Sequence, residues 1–145
     1  MKKQIDPRMH SAEHILNQTM IRVFGCGRSF NAHIEKKKSK CDYHLDRALT
    51  EKEIRQIEKE VNDVIQADMS VTEEYLTREA AQARYSLEKL PADAGEEIRI
   101  VKIGDYDACP CLGEHVSSTR QIGTFQIASV SFNDGVLRIR FKLIE

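Results

Sequence analysis

The strongest chemical signal in this sequence lies in four side chains on two short segments. His10 and His14 stand four residues apart, so on a helix their imidazoles leave one face about one turn apart and can share a cation. A hundred residues later, Cys109-Pro110-Cys111-Leu112-Gly113-Glu114-His115 places a thiol and an imidazole close together in a turn-prone segment. Together His10, His14, Cys111 and His115 supply three nitrogens and one sulfur, a donor set that suits tetrahedral zinc. Cys109 competes for the sulfur position, and only spacing favours Cys111. Each half alone has a plainer explanation, a half-buried helix face for the histidines and an ordinary polar loop for the rest. Zinc-protease helices share the histidine spacing but place glutamate directly after the first histidine as general base. Here Ser11 fills that position and Glu13 lies beside the second histidine, which argues against a protease.

The elements that must position these groups are readable from composition and periodicity. The 145 residues, 41% hydrophobic and 31% charged, match one ordinary globular domain and exclude a disordered or fibrous chain. No apolar run is long enough to span a bilayer, and the Lys2-Lys3-Gln4 start lacks the apolar stretch of a signal peptide. A cytoplasmic protein with no membrane partner is the expectation. In that reducing compartment Cys26, Cys41, Cys109 and Cys111 are thiols or metal ligands rather than disulfides. The net charge of −1 gives no global attraction to nucleic acid, so RNA binding would depend on a local basic run. Lys36, Lys37, Lys38 and Lys40 form that run, with Lys37 and Lys38 as candidate substrate contacts. A solvated hairpin tip explains the same residues.

Asp6-Pro7 is a helix start, and apolar residues recur at helical spacing from Met9 to Val23, which predicts a helix over residues 7–24. Partial alternation predicts a hairpin over 28–36 and 39–46. Thr50-Glu51-Lys52-Glu53 fits a capping box ahead of an amphipathic helix ending near Asp68. A short strand over 69–76, a helix from Thr77 and an exposed loop over 91–95 follow. Strands are expected over 97–103, 123–132 and 136–144, the last two joined by a tight Asn133-Asp134-Gly135 turn. The predicted fold class is α+β, with helices packed on an antiparallel sheet.

Ordered along the chain, these pieces resemble a known family. His10-Ser11-Ala12-Glu13-His14-Ile15-Leu16, Glu60-Val61-Asn62-Asp63-Val64-Ile65, Ile98-Arg99-Ile100-Val101-Lys102-Ile103-Gly104-Asp105, Cys111 with His115, and Ile122-Gly123-Thr124-Phe125 are similar to the alanyl-tRNA synthetase editing domain. The likeness extends to its free-standing alanyl-tRNA trans-editing relatives, with the threonyl-tRNA synthetase editing domain as a cousin. The resemblance implies a zinc-dependent deacylase acting in trans at the acylated 3′ end of tRNA, removing serine or glycine from the alanine tRNA. It implies no ATP site, since the chain has no room for the synthetase's catalytic domain. Where the family usually has Cys-Gly-Gly-Thr-His, this chain has Cys111-Leu112-Gly113-Glu114-His115. Leu112 adds a side chain where backbone would approach a ligand, and Glu114 adds a carboxylate beside a polyanion site. Gly113 and Glu114 are the candidate catalytic positions, with Asp42 and His44 as further accessory groups. Ser11 and Asn31 are candidate substrate contacts, although packing and turn formation explain them as well. Four protein ligands close a zinc ion, which is the usual mark of a structural rather than a catalytic site. Retention of zinc for stability alone, in an inactive RNA-binding or partner module, is the alternative.

Overall fold

The computed structural model describes residues 6–87, 90 and 95–144. The first helix, α1 (Pro7–Phe24), begins as expected: Asp6 accepts from the amides of Arg8 and Met9, and Pro7 needs no partner for a missing N–H. Gly25, at φ 68°, ends the helix in the left-handed conformation. A short hairpin follows, β1 (Asn31–His33) with β2 (Ser39–His44). Then comes α2 (Glu51–Gln66), whose capping box forms with both Thr50 and Glu53 hydrogen bonds in place. Its buried face is Ile57, Val61, Val64 and Ile65, a periodicity that leaves charge on the other side.

The rest of the chain is β3 (Val71–Thr77), a short α3 (Arg78–Arg84), β4 (Glu97–Ile103), β5 (Asp107–Pro110), a 3-10 turn (Thr119–Ile122), β6 (Thr124–Asn133) and β7 (Val136–Ile144). All strand pairs are antiparallel, in two sheets ordered β1-β2-β7-β6 and β3-β4-β5. The α+β class therefore stands, but the expected sheet is two sheets. The main core lies between α1, α2 and the inner face of the four-stranded sheet, where Leu16, Met20, Tyr43, Phe125, Ile139 and Phe141 meet. A smaller core gathers Ala81, Ile98 and Ile100 under α3.

Element boundaries moved where tertiary contacts, not propensity, set them. The hairpin strands are shorter than expected because only 31–33 find partners in β2. The expected 91–95 loop lies outside the described residues but for Gly95. Strand β5 is not foreseen from sequence, where 109–115 has the character of a turn. It forms as an edge strand on β4, pairing Cys109 with Val101 and Pro110 with Ile100, and an edge position tolerates a proline with no N–H to donate. The 3-10 turn is also unforeseen. Its Thr119 hydroxyl donates to the carbonyls of Val64 and Ile65 and accepts from the Met69 amide, closing the C-terminus of α2. No described helix is long and apolar enough to cross a membrane.

Candidate metal centre

Helix α1 and the segment after β5 meet at the first histidine pair. His10 and His14, one turn apart, face Cys111 and His115, and one ligand atom from each of the four lies within 4.8 Å of the others. The Cys111 sulfur is 3.3 Å from His10 Nε2, and the three imidazole centroids are 4.1 to 4.9 Å apart. Three histidine rings and a thiol crowded in this way need something to organise their lone pairs.

The donor chemistry fits a metal. A ligating histidine usually fixes its second ring nitrogen on a protein acceptor, which sets the tautomer and aims the first at the ion. His10 Nδ1 donates to the Glu114 carbonyl at 3.1 Å. His115 Nδ1 lies 2.9 Å from the Ser11 hydroxyl, and His14 Nδ1 lies 3.7 Å from an Asp107 carboxylate oxygen and 3.2 Å from Cys109 Sγ. All three anchors use Nδ1, which leaves all three Nε2 atoms for the centre. His115 Nε2 is buried and has no hydrogen-bond partner, a costly state for a polar atom unless a metal takes its lone pair.

Cys111 emerges as the thiol beside His10, while Cys109 stands on the Nδ1 side of His14 with Asp107, in a second cluster of its own. Asp107 joins the surround of the centre although its sequence context does not single it out. It accepts from both terminal nitrogens of Arg28, at 2.8 and 3.1 Å, and from Gln18 at 2.8 Å. Its one signal is periodicity: in a strand, Asp107, Cys109 and Cys111 alternate onto one face. Arg99 was also overlooked as a site residue. From β4 it donates to the carbonyls of Cys111 and Gly113, at 3.1 and 2.7 Å, and pairs with Glu73, so it clamps the ligand loop.

The remaining candidates fall into different surroundings. Gly113 packs directly against His10: a side chain there would meet His10 Cε1 at 2.3 Å and Nδ1 at 2.6 Å. Glu114 exposes its carboxylate and contributes its carbonyl to His10. Ser11 is fully buried, with its hydroxyl on His115 and on the Val116 amide, a supporting position under the centre. Asn31 is exposed on β1 and donates to Asp42, which also binds Arg138. His44 stacks on Phe30 at 3.9 Å. Lys37 and Lys38 are exposed in the hairpin turn, outside the cluster. The centre borders a cleft of about 520 Å³, whose lining includes His10, His14, Glu13, Phe30, Cys111 and Leu112.

Electrostatics distinguish the donors. Burial opposes ionisation of Cys111, but the three imidazoles packed around it, His10 nearest at 3.3 Å, outweigh it and pull the thiol down to about 3. Burial pushes His115 down to about 4, with help from the neighbouring histidines and against Cys111. His14 goes the other way: burial disfavours its charge, yet Asp107, Cys109 and Cys111 raise it well above the ordinary histidine range. At pH 7 the metal-free centre thus holds a thiolate, a neutral His115 and a proton on His14. Metal uptake should therefore release about one proton per ion, drawn from His14, where an unperturbed cysteine with three unperturbed histidines would release roughly 1.7, mostly from the thiol. An indicator dye in weak buffer reads this during a zinc titration, and zero release at full occupancy would contradict the charge state.

Fold and site define an α+β domain in which a helix and a loop bring one cysteine and three histidines to the edge of a cleft. Residues 98–140 match the family described as the threonyl and alanyl tRNA synthetase second additional domain. The chain is 32% identical over 138 residues to the alanine–tRNA ligase of Methanopyrus kandleri, covering 92% of this chain and 15% of that protein. It is 34% identical over 125 residues to that of Coxiella burnetii, covering 86% and 14%, and 33% identical over 141 residues to that of Fervidobacterium nodosum, covering 96% and 16%. Over most of its length the chain is similar to one part of alanine–tRNA ligases, and it spans about 15% of the length of the curated relatives it matches.

Proposed function

We propose that this chain hydrolyses the ester bond of misacylated tRNA, acting in trans on serine or glycine attached to the alanine tRNA, with zinc held by His10, His14, Cys111 and His115. The observation that carries this reading is the cluster of one thiol and three imidazoles at the edge of a cleft, in a chain related over most of its length to alanine–tRNA ligases. With all four of these ligands in place, zinc would have to accept a fifth ligand to polarise an ester carbonyl or a water as a Lewis acid.

The chain's own groups do the rest. Glu13 lines the cleft with its carboxylate 3.9 Å from His10 Nε2, where it attracts the ammonium of an aminoacyl group. Leu112 and Phe30, both exposed, give the cleft apolar walls that exclude water around the ester. Arg99 and Gly113 hold the ligand loop against His10 so that the donors keep their places.

Leu112 also supports a second reading, since its side chain is 57% exposed and lines the cleft, where it narrows the approach to the centre. On that reading the fold keeps zinc for stability and binds RNA without cleaving it. A deacylation panel separates the two. The natural chain should release amino acid from Ser- or Gly-tRNA of the alanine type faster than from Ala-tRNA. The pair Leu112→Gly and Glu114→Thr should change that preference, because a wider approach and one carboxylate fewer alter both fit and charge. If neither form cleaves any acylated tRNA while both hold zinc and remain folded, the second reading replaces the first.

A further inference from the structure

The outer face of the four-stranded sheet sets two like charges directly opposite one another. Residues directly opposite in antiparallel strands share a face. Strand register places His33 opposite Lys40, Lys40 opposite Arg140, and Arg140 opposite Ser129, so one row crosses all four strands. Like charges directly opposite are destabilising, and neither Lys40 nor Arg140 makes an ion pair among the described residues. The next row shows the usual solution. There Asp42 faces Arg138, with hydrogen bonds of 2.8 and 3.0 Å. Lys142, two residues along β7 from Arg140, is exposed and adds a further cation to the same face.

The conflicted row opens into a cleft of about 310 Å³ lined by His33, Glu35, Lys38, Ser39, Lys40 and Arg140. Glu35 is the acidic member, against three fixed cations and an imidazole. Ser39 shapes the turn, accepting from the Glu35 amide and lying 3.0 Å from its carbonyl. It also reaches the Met9 sulfur at 3.5 Å. Met9 immediately precedes His10 in α1.

We infer that this cleft is a phosphate site for the backbone of an RNA strand, with Lys38, Lys40 and Arg140 as the contacts and Lys142 as the continuation of the track. An anion between Lys40 and Arg140 converts their repulsion into two charge-assisted bonds. Arg140 suits a phosphate through its planar fork, and the lysines act as point charges. The chain's net charge of −1 makes the patch a local feature, so register on the RNA and not bulk attraction is what it supplies. The inference rests on the proposed tRNA substrate for its choice of polyanion, but it concerns binding and not cleavage.

The test is fluorescence anisotropy with an unacylated RNA hairpin carrying a single-stranded 3′ end, titrated with the full chain from about 50 to 200 mM salt. The paired change Lys40→Gln and Arg140→Gln should lower the slope of log K against log salt by about 1.5, from two lost phosphate contacts at roughly 0.7 to 0.9 each. The pair Lys52→Gln and Arg55→Gln, on the exposed face of α2, removes the same charge and should leave the slope nearly unchanged. Thermal melting confirms that both forms fold. An unchanged slope for the sheet pair, or an equal fall for the helix pair, overturns the site. The outcomes separate from the deacylase reading: a slope that falls in a chain inert toward every acylated tRNA keeps the cleft and removes the enzyme. An unchanged slope in an active chain does the reverse.

Discussion

Gly113→Ala is expected to lower zinc affinity by about 10- to 100-fold, the range for losing the support of a metal ligand, and to reduce any deacylation with it. A methyl group at this position would lie 2.3 Å from His10 Cε1, inside any permitted contact. The ring has nowhere easy to go. It is buried, its Nδ1 is bonded to the Glu114 carbonyl, and its Nε2 faces Cys111 Sγ at 3.3 Å. The loop cannot retreat freely either, because Arg99 holds the Gly113 carbonyl at 2.7 Å. Overpacking of this kind costs about 1–3 kcal/mol in stability, but the larger effect falls on the metal, since ligand atoms must converge to within tenths of an ångström. Competition against a chromogenic chelator measures the affinity. A variant that binds zinc as the natural chain does would show that His10 is not a ligand or that the loop moves without penalty.

Asp107→Asn is expected to destabilise the fold by about 2–4 kcal/mol, below the full range for breaking a buried ion pair because Arg28 is partly exposed. That corresponds to a fall in Tm of roughly 10 °C. Asp107 has no exposed side-chain surface, and Arg28 retains 26% of its own. The amide would set donor against donor at an Arg28 nitrogen and remove the acceptor facing His14 Nδ1 at 3.7 Å. Burial works against the Asp107 charge, yet His14 at 3.7 Å and the hydrogen bonds from Arg28 and Gln18 hold its carboxyl well below the usual range, so these partners depend on the ionised form. Combining Asp107→Asn with Arg28→Gln should cost clearly less than the sum of the two single changes, because each removes the other's partner. Additive losses in thermal melts would remove the coupling.

The candidate ligand pair on α1 was legible because helical spacing is a local property: His10 and His14 four apart require only that α1 form, and Asp6-Pro7 with the apolar repeat ensures it. Helix α2 was legible for the same reason, its cap and its buried stripe both written within one segment. So was the β6-β7 turn, where Asp134 and Gly135 take φ of 50° and 78°. The cysteine and histidine of the second segment were readable as residue type and spacing. The strand that carries them in was not, since β5 has four residues and forms only against β4.

What tertiary structure alone decided are the contacts across about a hundred residues of sequence. Gly113 needs its missing side chain because of His10, Ser11 serves His115, and Asp107 and Cys109 face His14. The like-charged Lys40 and Arg140 also become neighbours only when β2 pairs with β7. The sequence by itself determined which atoms were available to bind a metal and which helix would present half of them. Whether those atoms met, which thiol joined His10, and which nitrogen of each imidazole faced inward depended on packing between distant segments, since no local spacing encodes the distance between two chain stretches that fold onto one another.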